Sequence, residues 1–395
     1  MIAKHIRTIK PSATLSVSQK ARELKSMGRE IISLSAGEPD FATPQNICDA
    51  ASLAMGDGKT KYTPVDGIPE LKEAIIHKYQ NEKNLQYDSA QVIISNGAKQ
   101  SIYNAFQASL NPGDEVIIIA PYWVSYPDMV MLAKGVPIIV SSLHDKALNL
   151  EEITNKISDK TKWIVINSPN NPEGSMLSRQ DLEGLSEILR KNKNIHLISD
   201  DIYEDLTYED SSINILQLFP DLKDRVLIIN GVSKSYAMTG WRIGYALGNK
   251  ELIKNMKLIQ SQSTSGACSI SQYAAVEAIK NSQGFVEESR KIFMKRRNLF
   301  CSLLESIPQL KVSIPEGSFY LFIDARECIN KTTPEGHVIK NDIDLCEYFL
   351  NSGGVAVVPG SAFGKDGFFR ASYATSEEQI TAGSKKIIKS CESLR

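Results

Sequence analysis

Seven short runs of apolar, largely β-branched residues recur along the chain, at 92–94, 116–120, 136–140, 163–166, 195–199, 226–229 and 243–247. They are nearly continuous rather than alternating, as in strands buried on both faces. The pattern therefore predicts a mostly parallel sheet in an α/β fold. Between the runs the spacing becomes helical. One helix is predicted from Pro69, where proline suits a first turn, with Leu71, Ile75 and Tyr79 four apart on one face. Another opens near Asn149, with Glu152 as its capping-box partner. A third carries Leu182, Leu185 and Leu189.

From about Gln283 the character changes. A long charged helix runs through Arg290, Lys291, Lys295, Arg296 and Arg297. Short strands are expected around 317–323 and 355–358, then a last helix opened by Thr375 with Glu378 at the capping-box position. This mixture predicts a smaller α+β domain. No repeat or Pro/Gly/Ser-rich linker separates the two parts, so close packing is expected, with the long helix bridging them.

Composition narrows the class. A chain of 395 residues suits one large domain plus a smaller one. A hydrophobic share of 42% with 23% charged residues is that of a soluble globular protein. The net charge of -1 gives no electrostatic reason for nucleic acid or an anionic membrane as partner. The apolar runs are strand-sized, far short of a membrane span. Residues 2–10 are basic without an apolar core, which excludes a secretory signal there. Six scattered cysteines, with no Cys-x-x-Cys pair, suggest reduced thiols in a cytoplasmic enzyme. The five histidines show no metal-ligand spacing, and no metal is expected.

The most informative chemistry follows the sixth apolar run. Ser233-Lys234-Ser235-Tyr236-Ala237-Met238-Thr239-Gly240-Trp241-Arg242 sets a lysine among hydroxyls, with an arginine eight residues on. Alone, Lys234 would read as a solvated loop residue. With these neighbours its amine suits Schiff-base formation with an aldehyde cofactor, and Ser233 and Arg242 suit that cofactor's phosphate. The stretch resembles the lysine signature of the class I aminotransferases, which are fold-type I enzymes using pyridoxal 5'-phosphate.

Other segments supply the rest of such a site. Asp200 ends the fifth run, and strand ends in open α/β sheets are where ligands bind. A carboxylate there can keep a ring nitrogen protonated, and Tyr203 can bond the ring's phenolic oxygen. Physics alone leaves Asp200 and Asp201 open; the family's Asp-x-x-Tyr spacing favours Asp200. Ser95-Asn96-Gly97-Ala98-Lys99-Gln100 follows a strand and opens a helix, so the backbone at Gly97, Ala98 and Lys99 can cradle phosphate. Trp123 offers a flat face for stacking. Arg370, beside Phe368 and Phe369, suits bidentate binding of an α-carboxylate. Asn171, in a Pro/Asn turn, can reach both substrate and cofactor.

Together these motifs resemble the class I aminotransferases from about residue 10 to residue 375. The details look like the bacterial aspartate subgroup that includes aspartate/prephenate enzymes. The resemblance implies a large domain at 45–285 with a seven-stranded sheet, and a small domain from 1–44 and 286–395. It implies ping-pong transamination between L-aspartate or L-glutamate and 2-oxo acids. Gly37 would meet the substrate carboxylate through its backbone N–H. Tyr62 would reach the phosphate in a partner subunit, which makes the expected assembly a homodimer with shared active sites. Lys99, assisted by Thr14, would take a distal carboxylate, and Lys10 matches a position linked to prephenate use. Two departures stand out: Glu173 in place of the usual threonine, and Gly266-Ala267 in a nearby loop. Prephenate, aromatic or alanine-type transamination, or a lyase or synthase of the same fold, remain the alternatives.

Overall fold

The computed structural model describes residues 6, 7, 9, 11–143, 146–209 and 211–395. All seven apolar runs form one sheet: β1 (Val92–Ser95), β2 (Glu115–Ala120), β3 (Val136–Ser141), β4 (Thr161–Asn167), β5 (His196–Asp200), β6 (Val226–Gly231) and β7 (Gly244–Leu247). Their spatial order is β1-β7-β6-β5-β4-β2-β3. Every pairing is parallel except those of β7, which is antiparallel to both β1 and β6. Because β7 runs the other way, its first residue lies at the edge where the parallel strands end.

Alternate residues of each strand serve two cores. Ile117, Ile164, Leu197 and Ile228 pack on one face with Leu71, Ile75 and Tyr79 of the helix Pro69–Lys83. Val116, Val165, Ile198 and Leu227 pack on the other with Ile102 and Phe106 of the helix Ala98–Ser109. Each large apolar side chain buried this way stabilises the fold by about 1.5–3 kcal/mol. β3 corrects the expectation of burial on both faces: Val136 is 43% exposed and Ile139 37%. It is one of the two edge strands, and unlike β1 at the other edge, which is buried throughout, it is covered incompletely.

The caps also refine the sequence reading. The Asn149 side chain accepts the Glu152 N–H at 3.0 Å, but the Glu152 carboxylate takes the Asn149 side-chain amide, so the box is half-formed. The last helix is Glu377–Glu392, and its cap is Ser376, which accepts from the Gln379 N–H. Thr375 and Glu378 were each one residue early.

A second core surrounds a three-stranded antiparallel sheet in the order Val358–Pro359, Phe368–Ser372, Tyr320–Asp324. The helix Gln283–Leu304 joins both cores, with Val286 in the first and Phe293 and Phe300 in the second. Ile32 and Ser33 pair with Val355 and Ala356, which brings the N-terminal segment to the second core. Ile202, Tyr203 and Tyr208, just past β5, enter that core too, so the two cores meet beside Asp200. Among the described residues no helix is long and apolar enough to cross a membrane.

Candidate active site

A cavity of about 550 Å³ opens at this junction, over the ends of the parallel strands. Its size and position are those of a cofactor and substrate site in an α/β fold. Lys234, Asp200, Tyr203, Arg242, Arg370 and Asn171 line it. So do Ser233, Trp123, Ala98, Lys99, Gly37 and Thr14.

Lys234 sits in the short connection between β6 and β7, the one link in the sheet that needs no helical crossover. Its Nζ donates to the Gly37 carbonyl at 2.5 Å. Burial lowers its pKa to about 8, with Arg370 and Arg242 adding to the effect while Glu38 and Asp200 oppose it. A larger share of this amine is therefore neutral and nucleophilic near neutral pH than of an ordinary lysine.

Asp200 closes β5 and is buried. Its Oδ2 accepts from the Tyr126 hydroxyl at 2.6 Å, and its own carbonyl accepts from Asn167 Nδ2 at 2.7 Å. Burial raises the carboxyl to about 6, against the lowering effect of the Tyr126 bond and of Lys234. Such a carboxylate is short of positive charge and ready to hold a cation. The Tyr203 hydroxyl lies 2.9 Å from that of Tyr320, and burial drives its pKa well up, so it stays protonated and able to donate.

The turn at Asn96-Gly97 is locked by Arg242, which adopts a left-handed φ of 57°. Its Nη1 donates to the Thr239 carbonyl at 2.8 Å and its Nη2 to the Asn96 carbonyl at 3.3 Å. Gly97 has φ 82°, and a Cβ there would meet Arg242 Nη2 at 2.2 Å. Only glycine permits both the turn and the approach of the guanidinium. Gly97 itself thus packs under Arg242, while Ala98 and Lys99, at the start of the helix, face the cavity.

Arg370 is fully buried in the strand Phe368–Ser372. Its Nη1 donates to Asn171 Oδ1 at 2.8 Å and its Nη2 to the Ser35 carbonyl at 3.1 Å, with the Tyr320 ring 4.2 Å away. Its Nε has no partner among the described residues. A buried guanidinium without a carboxylate beside it is poised for one from outside. Lys99 has the same incompleteness: its Nζ sits 4.7 Å from the Trp123 ring, and burial, then Arg242, lowers its pKa.

Tyr62 is 101% exposed and does not line this cavity, so within a single chain it does nothing here. Lys10 lies outside the described residues. Glu173 is buried and ion-paired with Lys365 at 3.1 Å, joining the Asn171 turn to the loop before Arg370. Gly266 packs on Thr63, next to Tyr62, rather than in the cavity.

Sequence reasoning missed three participants in the site and one ion pair outside its lining. Tyr126 and Asn167 hold Asp200, Tyr320 holds Tyr203 and stacks on Arg370, and Arg296 binds Asp40 through both nitrogens at 2.7 and 3.0 Å. Tyr126 carried a usable signal, one helical turn past Trp123. Tyr320 reads only as a core position of its strand.

The comparisons agree with this geometry. The family model for aminotransferase class I and II matches residues 29–387. A Rickettsia bellii protein described as a probable aspartate/prephenate aminotransferase is 50% identical over 397 aligned positions, covering 100% of both chains. The aspartate/prephenate aminotransferase of Cereibacter sphaeroides is 49% identical, covering 98% of this chain and 97% of its own. The crystal structure of the Rhizobium meliloti aspartate aminotransferase superposes with a TM-score of 0.97 at 44% identity, over 100% of each chain. The fold and site define an enzyme built for amino-group chemistry. The chain belongs to the class I and II aminotransferases, and within them it resembles the bacterial aspartate enzymes.

That family implies pyridoxal phosphate, and the residues present fit it. A lysine with a depressed pKa, a buried carboxylate with no ion pair among the described residues, and a glycine turn closed by an arginine would meet its aldehyde, ring nitrogen and phosphate.

Proposed function

We propose that the chain is a pyridoxal-phosphate-dependent aminotransferase moving the amino group between L-aspartate or L-glutamate and 2-oxo acids by a ping-pong mechanism. The observation that carries this reading is the pairing of a depressed Lys234 with a buried, cation-seeking Asp200 in one cavity. When bound, pyridoxal phosphate supplies an aldehyde for amine exchange and an electron sink for charge developing at the substrate Cα. Lys234 takes the proton from Cα as a base of suitable strength and returns it on the other side of the exchange. Asp200 holds the proton at the ring nitrogen, oriented by Tyr126. Tyr203 would donate to the phenolic oxygen, and Trp123 would offer its face to the ring. Ser233, Arg242 and the backbone of Ala98 and Lys99 would hold phosphate, with Gly97 giving the turn that lets Arg242 approach. Arg370, set by Asn171, binds the α-carboxylate with the Gly37 backbone beside it. Lys99 and Thr14 take the distal carboxylate of a diacid.

We read residues 45–285 as the large domain and 1–44 with 286–395 as the small one, their two cores meeting at the site. The full exposure of Tyr62 supports a homodimer in which this tyrosine reaches the partner's phosphate. A cytoplasmic location fits the six free cysteines in the chain. Prephenate is a further candidate acceptor, supported by the names of the relatives.

The test is conversion of L-aspartate and 2-oxoglutarate into oxaloacetate and L-glutamate by the purified protein. Lys234→Ala should abolish it, and full activity in that variant would defeat the reading. Release of ammonia or carbon dioxide in place of an oxo acid would point to a lyase or decarboxylase.

A further inference from the structure

The helix Ala13–Ser26 forms one wall of the cavity, presenting Thr14, Ser18, Arg22 and Lys25 at helical spacing. This wall is anchored close to Arg370. The Ser18 hydroxyl lies 3.1 Å from that of Ser35, whose carbonyl accepts from Arg370 Nη2. Arg22 is one turn beyond Ser18, about 6 Å along the axis, and Lys25 lies further out on the same face. Both are exposed, at the mouth of the cavity.

The charge of the lining is one-sided. Six cations, Arg22, Lys25, Lys99, Lys234, Arg242 and Arg370, face two carboxylates, Glu38 and Asp200, in a chain of net charge -1. Four of the cations have uses described above. Arg22 and Lys25 have none, and among the described residues neither side chain makes an ion pair or hydrogen bond. Lys20, on another face of the helix, differs: it pairs with Glu347 at 3.7 Å.

The geometry points to Arg22 and Lys25 as an outer cationic pair that draws diacid substrates into the cavity and favours them over monoacids at encounter. This rests on the diacid aminotransferase reading. A cleft with low-dielectric walls focuses the field of such a pair, so its action falls on the association rate. The effect is screened over a Debye length of about 10 Å at 0.1 M salt. Arg370 and Lys99 govern how long the substrate stays; the outer pair governs how fast it arrives. A 2-oxo diacid carries twice the charge of a 2-oxo monoacid, and zwitterionic alanine carries no net charge, so the benefit is graded by substrate class.

The experiment compares holoenzyme with the double variant Arg22→Glu plus Lys25→Glu. Stopped-flow mixing with succinate, an unreactive diacid, is followed by the cofactor's visible absorbance from low to high salt. Lys156→Glu plus Lys160→Glu gives the same change in net charge at the opposite end of the sheet. The outer variant should associate with succinate roughly tenfold more slowly at low salt. The gap should close at high salt, with the dissociation rate and kcat/KM for alanine unchanged. The control pair should match wild type. Wild-type association and salt dependence in the outer variant would overturn the inference. So would equal slowing by the control pair, or a loss confined to dissociation. Wild-type protein that binds succinate but exchanges no amino group with any diacid would defeat the function reading alone.

Discussion

The two ends of the cavity are built differently. At the sheet edge, Asp200 is held by Tyr126 and Asn167, Asn167 in turn accepts from the Asn171 N–H, and each link is buried. At the open end, Arg22 and Lys25, and on the wall between, Lys99, have no carboxylate within ion-pair reach among the described residues. On the proposed function, the groups that would serve a constant occupant are fixed by the protein's own hydrogen bonds, and those that would serve alternating substrates are left for each substrate to complete. Arg370 stands between, with Nη1 and Nη2 bonded and Nε without a partner.

Breaking the fixed end should cost most. Asp200→Ala is expected to lower kcat/KM about 10³-fold, roughly 4 kcal/mol, and for all amino acids alike. Steady-state kinetics on aspartate and alanine would check it, and a loss confined to diacids would contradict the division. On the wall between, Lys99→Ala should cost about tenfold in kcat/KM for aspartate and glutamate, some 1.4 kcal/mol, while sparing alanine and aromatic amino acids. An equal loss across that panel would make Lys99 structural.

The finest test lies within the fixed end. Burial sets the Asp200 carboxyl at about 6, above its ordinary 3.8. The stability it lends the cofactor-free fold is therefore present at low pH and lost as pH rises through about 6. A cation at the ring nitrogen needs the ionised form, so cofactor retention should weaken as pH falls below that value. Tyr126 donates to the carboxylate and lowers its pKa. Tyr126→Phe should thus move this acid limb upward by about one pH unit, the worth of one hydrogen bond. Cofactor absorbance after dialysis across pH reads the shift, and an unmoved limb would remove Tyr126 from this role.

What was legible in the sequence follows the same division. All seven strands of the sheet were readable because β-branched runs have few other uses. The exposure of β3 was hidden, since the tertiary fold decides which run becomes an edge and how that edge is covered. Lys234, Asp200 and Arg242 lie in contiguous motifs fixed by turns at strand ends, and the structure brings them together. Tyr320, Ser35 and Arg296 act through long-range contacts that no local pattern records. Arg22 and Lys25 carry no local signal, because only the tertiary fold turns that helix face toward a cavity.

The antiparallel insertion of β7 has a bearing on biogenesis. β1 is paired only by β7, with Val92 opposite Leu247 and Ser95 opposite Gly244. During synthesis the Gly97 turn therefore waits, unsupported, until Arg242 and β7 have left the ribosome. Lys234 emerges in that same stretch, whereas Arg370 follows only near the C-terminus. On the proposed function, the residues that would hold phosphate are thus synthesised well before Arg370, which would hold the substrate.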